Sequence, residues 1–148
     1  MLVCPFLPSE ASQVSALIKT TLTKANSKDY PKEVLKHQIE HYSEENILRS
    51  SKDKTILLAI EGKEIIGTAS IKDNWVSGVF VHPDHMSKGV GKALMERIEA
   101  IAKDNGFSTI KLGSSTTAQG FYRKLGYKEI KEIVDEKVGK VIQMEKAL

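Results

Sequence analysis

The chain predicts an α+β fold, a mixed sheet with helices against it, in the order β-α-α-β-β-β-α-β-α-β-β. Three observations carry this expectation. "TILLAIEGKEIIGTASIK" reads as two apolar strands around a two-residue loop led by Gly62, a tight hairpin. "FVHPDHMSKGVGKALMERI", residues 80–98, passes from a strand through Pro83 and two glycines into an amphipathic helix. Before residue 55 the apolar residues fall mainly at helical spacing, and after it strand-like runs begin.

Taken in order, residues 2–6 form a short first strand. Ser9 suits a helix N-cap, with Val14, Leu17, Ile18, Thr21 and Leu22 on one face of the helix that follows. "NSKDYP" is a turn, and Pro31 fits the first position of a second helix that buries Val34, Leu35, Ile39 and Tyr42. The hairpin comes next. A third strand within "NWVSGVFVH" ends at Pro83, which cannot sustain a ladder. The helix after Gly91 buries Leu94, Ile98, Ile101 and Ala102 and stops at Asn105 and Gly106. "STIKLGSS" is a strand, "TTAQGFYRKLGY" a short helix ended by Gly126, and strands near 127–134 and 138–146 close the chain.

At 148 residues, with no repeat or linker, residues 1–148 are expected to be one domain. Hydrophobic residues at 41% and charged residues at 28% argue against disorder. The longest strongly apolar run, residues 56–60, is too short to cross a bilayer, so no membrane partner is expected. A net charge of +3, with bases interleaved among acids, gives no reason to expect nucleic acid. Cys4 stands alone and "MLVCPFLPSE" lacks a leader pattern, so the cytoplasm is the expected compartment.

The glycine turn suits an anion. The first amides of a helix lack intrahelical partners and sit at the positive end of its dipole, and glycine lets a phosphate approach the backbone. Gly89 and Gly91 lie at such a place, with Lys88 and Lys92 adding charge. A Walker loop is excluded twice, because Gly91 and Lys92 are followed by Ala93 and Met86 stands where the first glycine belongs. A dinucleotide fingerprint fails at Leu94, in place of the third glycine. A helix start that is merely glycine-rich stays open on this stretch alone.

"VHPDHMSKGVGKAL" resembles the acetyl-CoA loop of the GNAT superfamily of N-acetyltransferases, in which a strand ending V-x-P leads into [QR]-x-x-G-x-[GA]. "TTAQGFYRKLGY" resembles a second signature of that superfamily, A-x-x-[FL]-Y-x-K-x-G-[FY], at the expected distance. The resemblance covers nearly the whole chain and implies a mostly antiparallel central sheet flanked by helices. It implies direct transfer of an acetyl group from acetyl-CoA, as cosubstrate, to a primary amine on a small molecule or peptide, without a metal. It also carries an expectation of homodimers through sheet edges. Val79, Phe80 and Val81 would pair with the pantetheine arm, and the diphosphate would lie on residues 86–92 (Met86, Ser87, Lys88, Gly89, Val90, Gly91 and Lys92). Tyr122 would donate to the departing sulfur, a phenol near pKa ~10 facing a thiol near ~8.5. The superfamily's Gln or Arg is Met86 here, a loss on the order of 1–3 kcal/mol in cosubstrate binding, and its next glycine is Ser87, whose hydroxyl would add a donor beside the surviving backbone amides.

Other residues keep two readings. Ser114 and Ser115 suit helix caps, while Ser115 could stand where some relatives place an asparagine against the cosubstrate. Lys124 is an exposed lysine or a contact for the 3′-phosphate. Gly120, mid-helix, suggests a close approach by a ligand or a neighbouring helix. Tyr122 on composition alone would be core beside Phe121. The general base is open among Asp73, His82, Glu33, Glu40 and a water chain. "HQIEH", residues 37–41, matches the H-x-x-E-H zinc motif, yet that family needs a further ligand and a larger fold. A solvated helix face or a wall of the acceptor cleft serves His37, Glu40 and His41 better. Residues 24–54 are expected to shape the acceptor pocket. A non-catalytic acyl-CoA-binding regulatory module is the alternative from another functional class.

Overall fold

The computed structural model describes residues 1–24, 30–136 and 139–148. Residues 26–29 of the expected turn, and Val138 at the start of the expected last strand, lie outside the described residues. In chain order the strands are β1 (Leu2–Pro5), β2 (Thr55–Glu61), β3 (Glu64–Lys72), β4 (Trp75–Val81), β5 (Thr109–Ser114), β6 (Lys128–Asp135) and β7 (Gly139–Ala147). The helices are α1 (Ala11–Lys24), α2 (Lys32–His41), α3 (Glu44–Ser50), α4 (Val90–Asp104) and α5 (Gln119–Lys124). The sheet runs β1-β2-β3-β4-β5-β7-β6, antiparallel at every pairing except β4 with β5. The expected α+β architecture is present.

Three local expectations are corrected. A helix at Glu44–Ser50 was missing from the expected order. Ser43 caps it by accepting the Asn46 N–H at 3.2 Å, with Glu44 and Glu45 in the first turn and Arg49 in the last. Ser9 does not cap α1. It sits in a 3-10 turn, Pro8–Glu10, where Glu10 Oε1 accepts the Leu7 N–H at 2.8 Å. Pro31 is the N-cap of α2, and its carbonyl accepts the Leu35 N–H at 3.0 Å. Of the four residues expected on the buried face of α2, Val34 is fully buried and Leu35, Ile39 and Tyr42 are partly covered.

The continuous apolar run of β2 has a direct cause: both faces of the sheet are covered. Leu57 and Ala59 join Ile66, Leu94, Met95 and Ile98 under α4, while Ile56 and Leu58 join Val14, Ile18 and Ile47 under α1 and α3. The hairpin forms as expected, Glu61 opposite Glu64, with Gly62 at φ +61°. Gly67 on β3 is where α4 comes closest. A Cβ there would lie 2.8 Å from Val90 Cγ1 and 3.0 Å from Leu94 Cδ1. At the far end Tyr127, 1% exposed, donates to Glu99 Oε2 at 2.8 Å, and Lys146 donates to Glu99 Oε1 at 2.8 Å. That bond joins the strand side of α5 to α4. Among the described residues, no helix is long and apolar enough to cross a membrane.

Candidate active site

The site begins with a gap in the sheet. β4 and β5 pair only at Trp75 with Lys111 and Val76 with Leu112, so residues 77–81 have no β5 partner. Phe80 lies opposite Thr68, and the His82 N–H donates to Ile66 O at 2.8 Å. By alternation the peptide groups of Phe80 face β3 and those of Val81 face the gap. Phe80 therefore offers its backbone to β3 and its buried ring to the α1 side, edge-on to Tyr42 at 5.1 Å. The Val81 carbonyl also takes a long contact from Thr21 Oγ1, 3.4 Å. Ala69 on β3 faces two residues of β4, Gly78 and Val79, and this bulge holds Gly78 at φ +61°.

Beyond β4 the chain turns through Pro83–His85 to Met86, with Ser87 at φ +63° and Gly89 at φ +82°. Ala93 N–H donates to Gly89 O at 3.0 Å, so the amides of Val90, Gly91 and Lys92 precede the first intrahelical bond of α4. Met86, Ser87, Lys88, Gly89 and Lys92 are exposed, whereas the Val90 side chain is core. The two glycines have different reasons. A Cβ on Gly89 would meet no atom, so its backbone angle and open surroundings matter. A Cβ on Gly91 would lie 2.9 Å from Phe121 Cζ, so that glycine seats α4 against α5. This arrangement, amides pointing from a helix start with lysines beside them, suits a diphosphate.

Tyr122 projects from α5 into the core cluster that Val79 and Val81 border, edge-on to Phe121 at 5.0 Å and Tyr127 at 5.8 Å. It is 6% exposed, and its hydroxyl has no hydrogen-bond partner among the described residues. Burial raises its pKa far above the ordinary phenol value, with Tyr42 and Tyr30 adding to the effect. It stays protonated, so its O–H is available to donate. Neither serine caps α5, whose N-cap is Ala118 with no side-chain bond: Ser115 Oγ accepts the Ala118 N–H at 3.2 Å and so closes the turn before the helix, and the buried Ser114 donates to Ser115 O at 2.7 Å. Lys124 is exposed on α5. Gly120 has open space where a Cβ would stand, which removes the neighbouring-helix explanation for it.

On the α1 side of β4 lies a cavity of about 390 Å³ that the sequence did not outline. Its wall includes His41, Tyr42, Asp53, Lys54, Ser70 and Gly78, so residues from the C-terminal part of the expected acceptor stretch, 41–54, line it. Ser70 Oγ donates to Ser77 O at 2.8 Å, and Lys54 Nζ donates to Ser77 Oγ at 3.3 Å. A Cβ on Gly78 would stand 3.5 Å from both Ser70 Oγ and the Tyr42 ring, so this glycine keeps the cavity open to β4. Burial, then Tyr30, pushes the Tyr42 phenol up to about 12. Burial, then the Lys54 charge, lowers the His41 pKa below its usual 6.5. Of the expected base candidates, Glu33, Glu40 and Asp73 are absent from this wall, and Asp73, at φ +54°, serves the β3–β4 turn. His82 faces a second cavity between α1 and β3. Among the described residues His37, Glu40 and His41 do not bring three ligand atoms together.

Residues 15–148 match the family model described as the acetyltransferase (GNAT) domain. The chain belongs to the GNAT acetyltransferase family. A Bacillus subtilis (strain 168) protein named as an acetyltransferase is 32% identical over 80 residues, 51% of this chain and 54% of its own length. The chain thus spans about half the length of that curated relative. A GCN5-related N-acetyltransferase from Rhodopseudomonas palustris, also described as a class-II aminotransferase, superposes with a TM-score of 0.91 at 22% identity, over 99% of this chain and 95% of its own. The PaiA N-acetyltransferase from Thermoplasma acidophilum, in complex with coenzyme A, gives a TM-score of 0.83 at 22% identity over all of both chains. The GNAT fold accounts for the whole described sheet.

Proposed function

We propose that this chain, residues 1–148 acting as one domain, is an acetyl-CoA-dependent N-acetyltransferase that moves the acetyl group directly to a primary amine. The observation that carries the reading is Gly78. It lies on the stretch of β4 with no β5 partner and also lines the 390 Å³ cavity, so an acyl donor along β4 and an amine in the cavity meet there. Val79 and Val81 offer peptide groups to the donor's pantetheine arm, in the manner of an added strand. The amides of residues 87–92 hold its diphosphate, with Lys88 and Lys92 supplying charge.

In the reaction the amine nitrogen forms a bond to the thioester carbonyl carbon and the carbon–sulfur bond breaks. The electron pair leaves on sulfur. Tyr122 steadies that charge by donating its hydroxyl hydrogen bond. Full proton transfer to a thiolate would leave a buried phenolate, at about 1.4 kcal/mol for each pKa unit by which the phenol exceeds the thiol. Tyr122 therefore acts chiefly as a donor, and solvent completes protonation of the thiol. The nitrogen's proton passes to His41, directly or through water. His41 lines the cavity and its lowered pKa keeps it neutral near pH 7.

The test is release of free thiol from acetyl-CoA with a panel of primary amines, with Tyr122→Phe alongside. Turnover that falls while CoA binding stays supports the reading. A chain that binds CoA and releases no thiol with any amine is the regulatory module instead.

A further inference from the structure

His85 is used by no step above, and His82 enters only as a discarded base candidate; the two belong to a separate cluster. His82 follows β4 and His85 closes the 3-10 turn Pro83–His85. Facing them, Glu61 and Glu64 flank the β2–β3 hairpin turn. The β3–β4 ladder closes this sequence gap, and one ligand atom each from Glu64, His82 and His85 falls within 4.8 Å of the others. Among the described residues it is the one such group of three.

The nitrogen assignments follow from the contacts. His82 Nδ1 accepts the Asp84 N–H at 3.1 Å, which leaves Nε2 as its available nitrogen. His85 Nε2 lies 4.0 Å from Glu64 Oε2. His85 Nδ1 lies 3.5 Å from Glu61 Oε2, yet it is buried and makes no hydrogen bond. An unsatisfied buried nitrogen calls for a reason. A carboxylate behind a ligating imidazole is one, since such a partner orients the ring and raises its basicity.

We propose that Glu64, His82 and His85 bind a divalent transition-metal ion, with Zn²⁺ the best fit, and that Glu61 orients His85 as a positioning residue. Two imidazoles and a carboxylate form a recognised zinc donor set, and tetrahedral bonds of about 2.0–2.1 Å require the ligand atoms to draw in by roughly 1 Å. A second cavity, about 330 Å³ and lined by Gln13, Thr20, Glu64 and His82, gives solvent access for a fourth ligand. The ion staples the β2–β3 hairpin to the segment that feeds residues 86–92. The site departs from the sequence expectation of no metal, and it does not depend on the acyl-transfer reading.

The experiment strips the full chain with a chelator, then titrates Zn²⁺ by calorimetry and Co²⁺ by visible absorption. The expected result is one ion per chain, four-coordinate Co²⁺ bands and a higher Tm with Zn²⁺. His82→Gln, His85→Gln and Glu64→Gln each lose the bands, while their metal-free circular dichroism matches the parent. Glu61→Gln keeps the ion with affinity lower by about 10–100-fold. A His37→Gln/His41→Gln double variant binds like the parent. No saturable binding by the parent overturns the proposal, as does loss of the ion in the double variant or its retention in both His82→Gln and His85→Gln.

Discussion

Gly67→Ala tests how α4 is held against the sheet. The added methyl would lie 2.8 Å from Val90 Cγ1 and 3.0 Å from Leu94 Cδ1, with Phe80 O at 3.4 Å behind it. Ordinary carbon contacts need about 3.5 Å, so the first pair must open by roughly 0.7 Å. Val90 is β-branched, holds one χ1 well in a helix and is 3% exposed, and Leu94 is fully buried. Neither side chain has room to turn, so the start of the helix moves. Overpacking of this kind costs about 1–3 kcal/mol, a Tm drop of roughly 2–10 °C at this chain length. The same movement displaces the amides of Val90, Gly91 and Lys92. A loss of about 1 kcal/mol from charge-assisted bonds weakens CoA binding roughly fivefold. Denaturant unfolding and CoA calorimetry read the two effects. Gly113→Ala is the control: its methyl would lie 2.7 Å from Val141 Cγ1 on β7, away from α4. It should lose stability and keep CoA affinity. Equal loss of affinity in both variants would show that general softening, not the position of α4, controls binding. A Gly67→Ala chain as stable as the parent would sink the packing argument itself.

Tyr122→Phe should lower turnover by about 10²–10³-fold with CoA affinity intact, and should cost little stability because the hydroxyl has no partner among the described residues. Parallel losses of turnover and CoA affinity in steady-state and calorimetric assays would make it a packing residue. His41 must be neutral to accept a proton, so activity should fall as pH drops through its lowered pKa. His41→Gln should remove that acidic limb, and Lys54→Met should move it to higher pH by taking away the lowering charge; a limb unmoved in both variants excludes His41. Met86 is 43% exposed beside the amide turn, so Met86→Arg should tighten CoA binding by about 1 kcal/mol, near fivefold, in a salt-sensitive manner. No gain at low salt would mean that the diphosphate lies elsewhere.

Contiguous features were legible in the sequence. The Gly62 hairpin forms as expected, with Glu61 opposite Glu64, because its turn chemistry and both strands lie within eighteen residues. The two signature stretches pointed to α4 and α5 because each motif is one local strand-turn-helix or helix-turn unit. α3 was missed although its signal was present: Ser43, two acids, then Ile47 and Leu48 form a short capped helix. The cavity was beyond reach for a different reason. Tyr42, Ser70 and Gly78 come from three elements, and the bulge that turns Gly78 inward depends on pairing across β3. In the sequence Gly91 suggests room for a ligand, but its Cβ space belongs to Phe121, thirty positions away. The histidines followed the same rule. The compact "HQIEH" pattern stands out in the sequence, while Glu64, His82 and His85 converge only after β3 pairs with β4.

The narrow junction of β4 with β5 also shapes how the chain reaches this form. Strands β1 to β4 complete their antiparallel bonds within the first 81 residues, and β5, β7 and β6 complete theirs within the last 40. Each block recruits neighbours close by along the chain, so most loop-closure entropy is spent locally and one late seam joins the two. Amides at that seam would be the first of the inner strands to trade hydrogen with solvent, because so few bonds must part to open it.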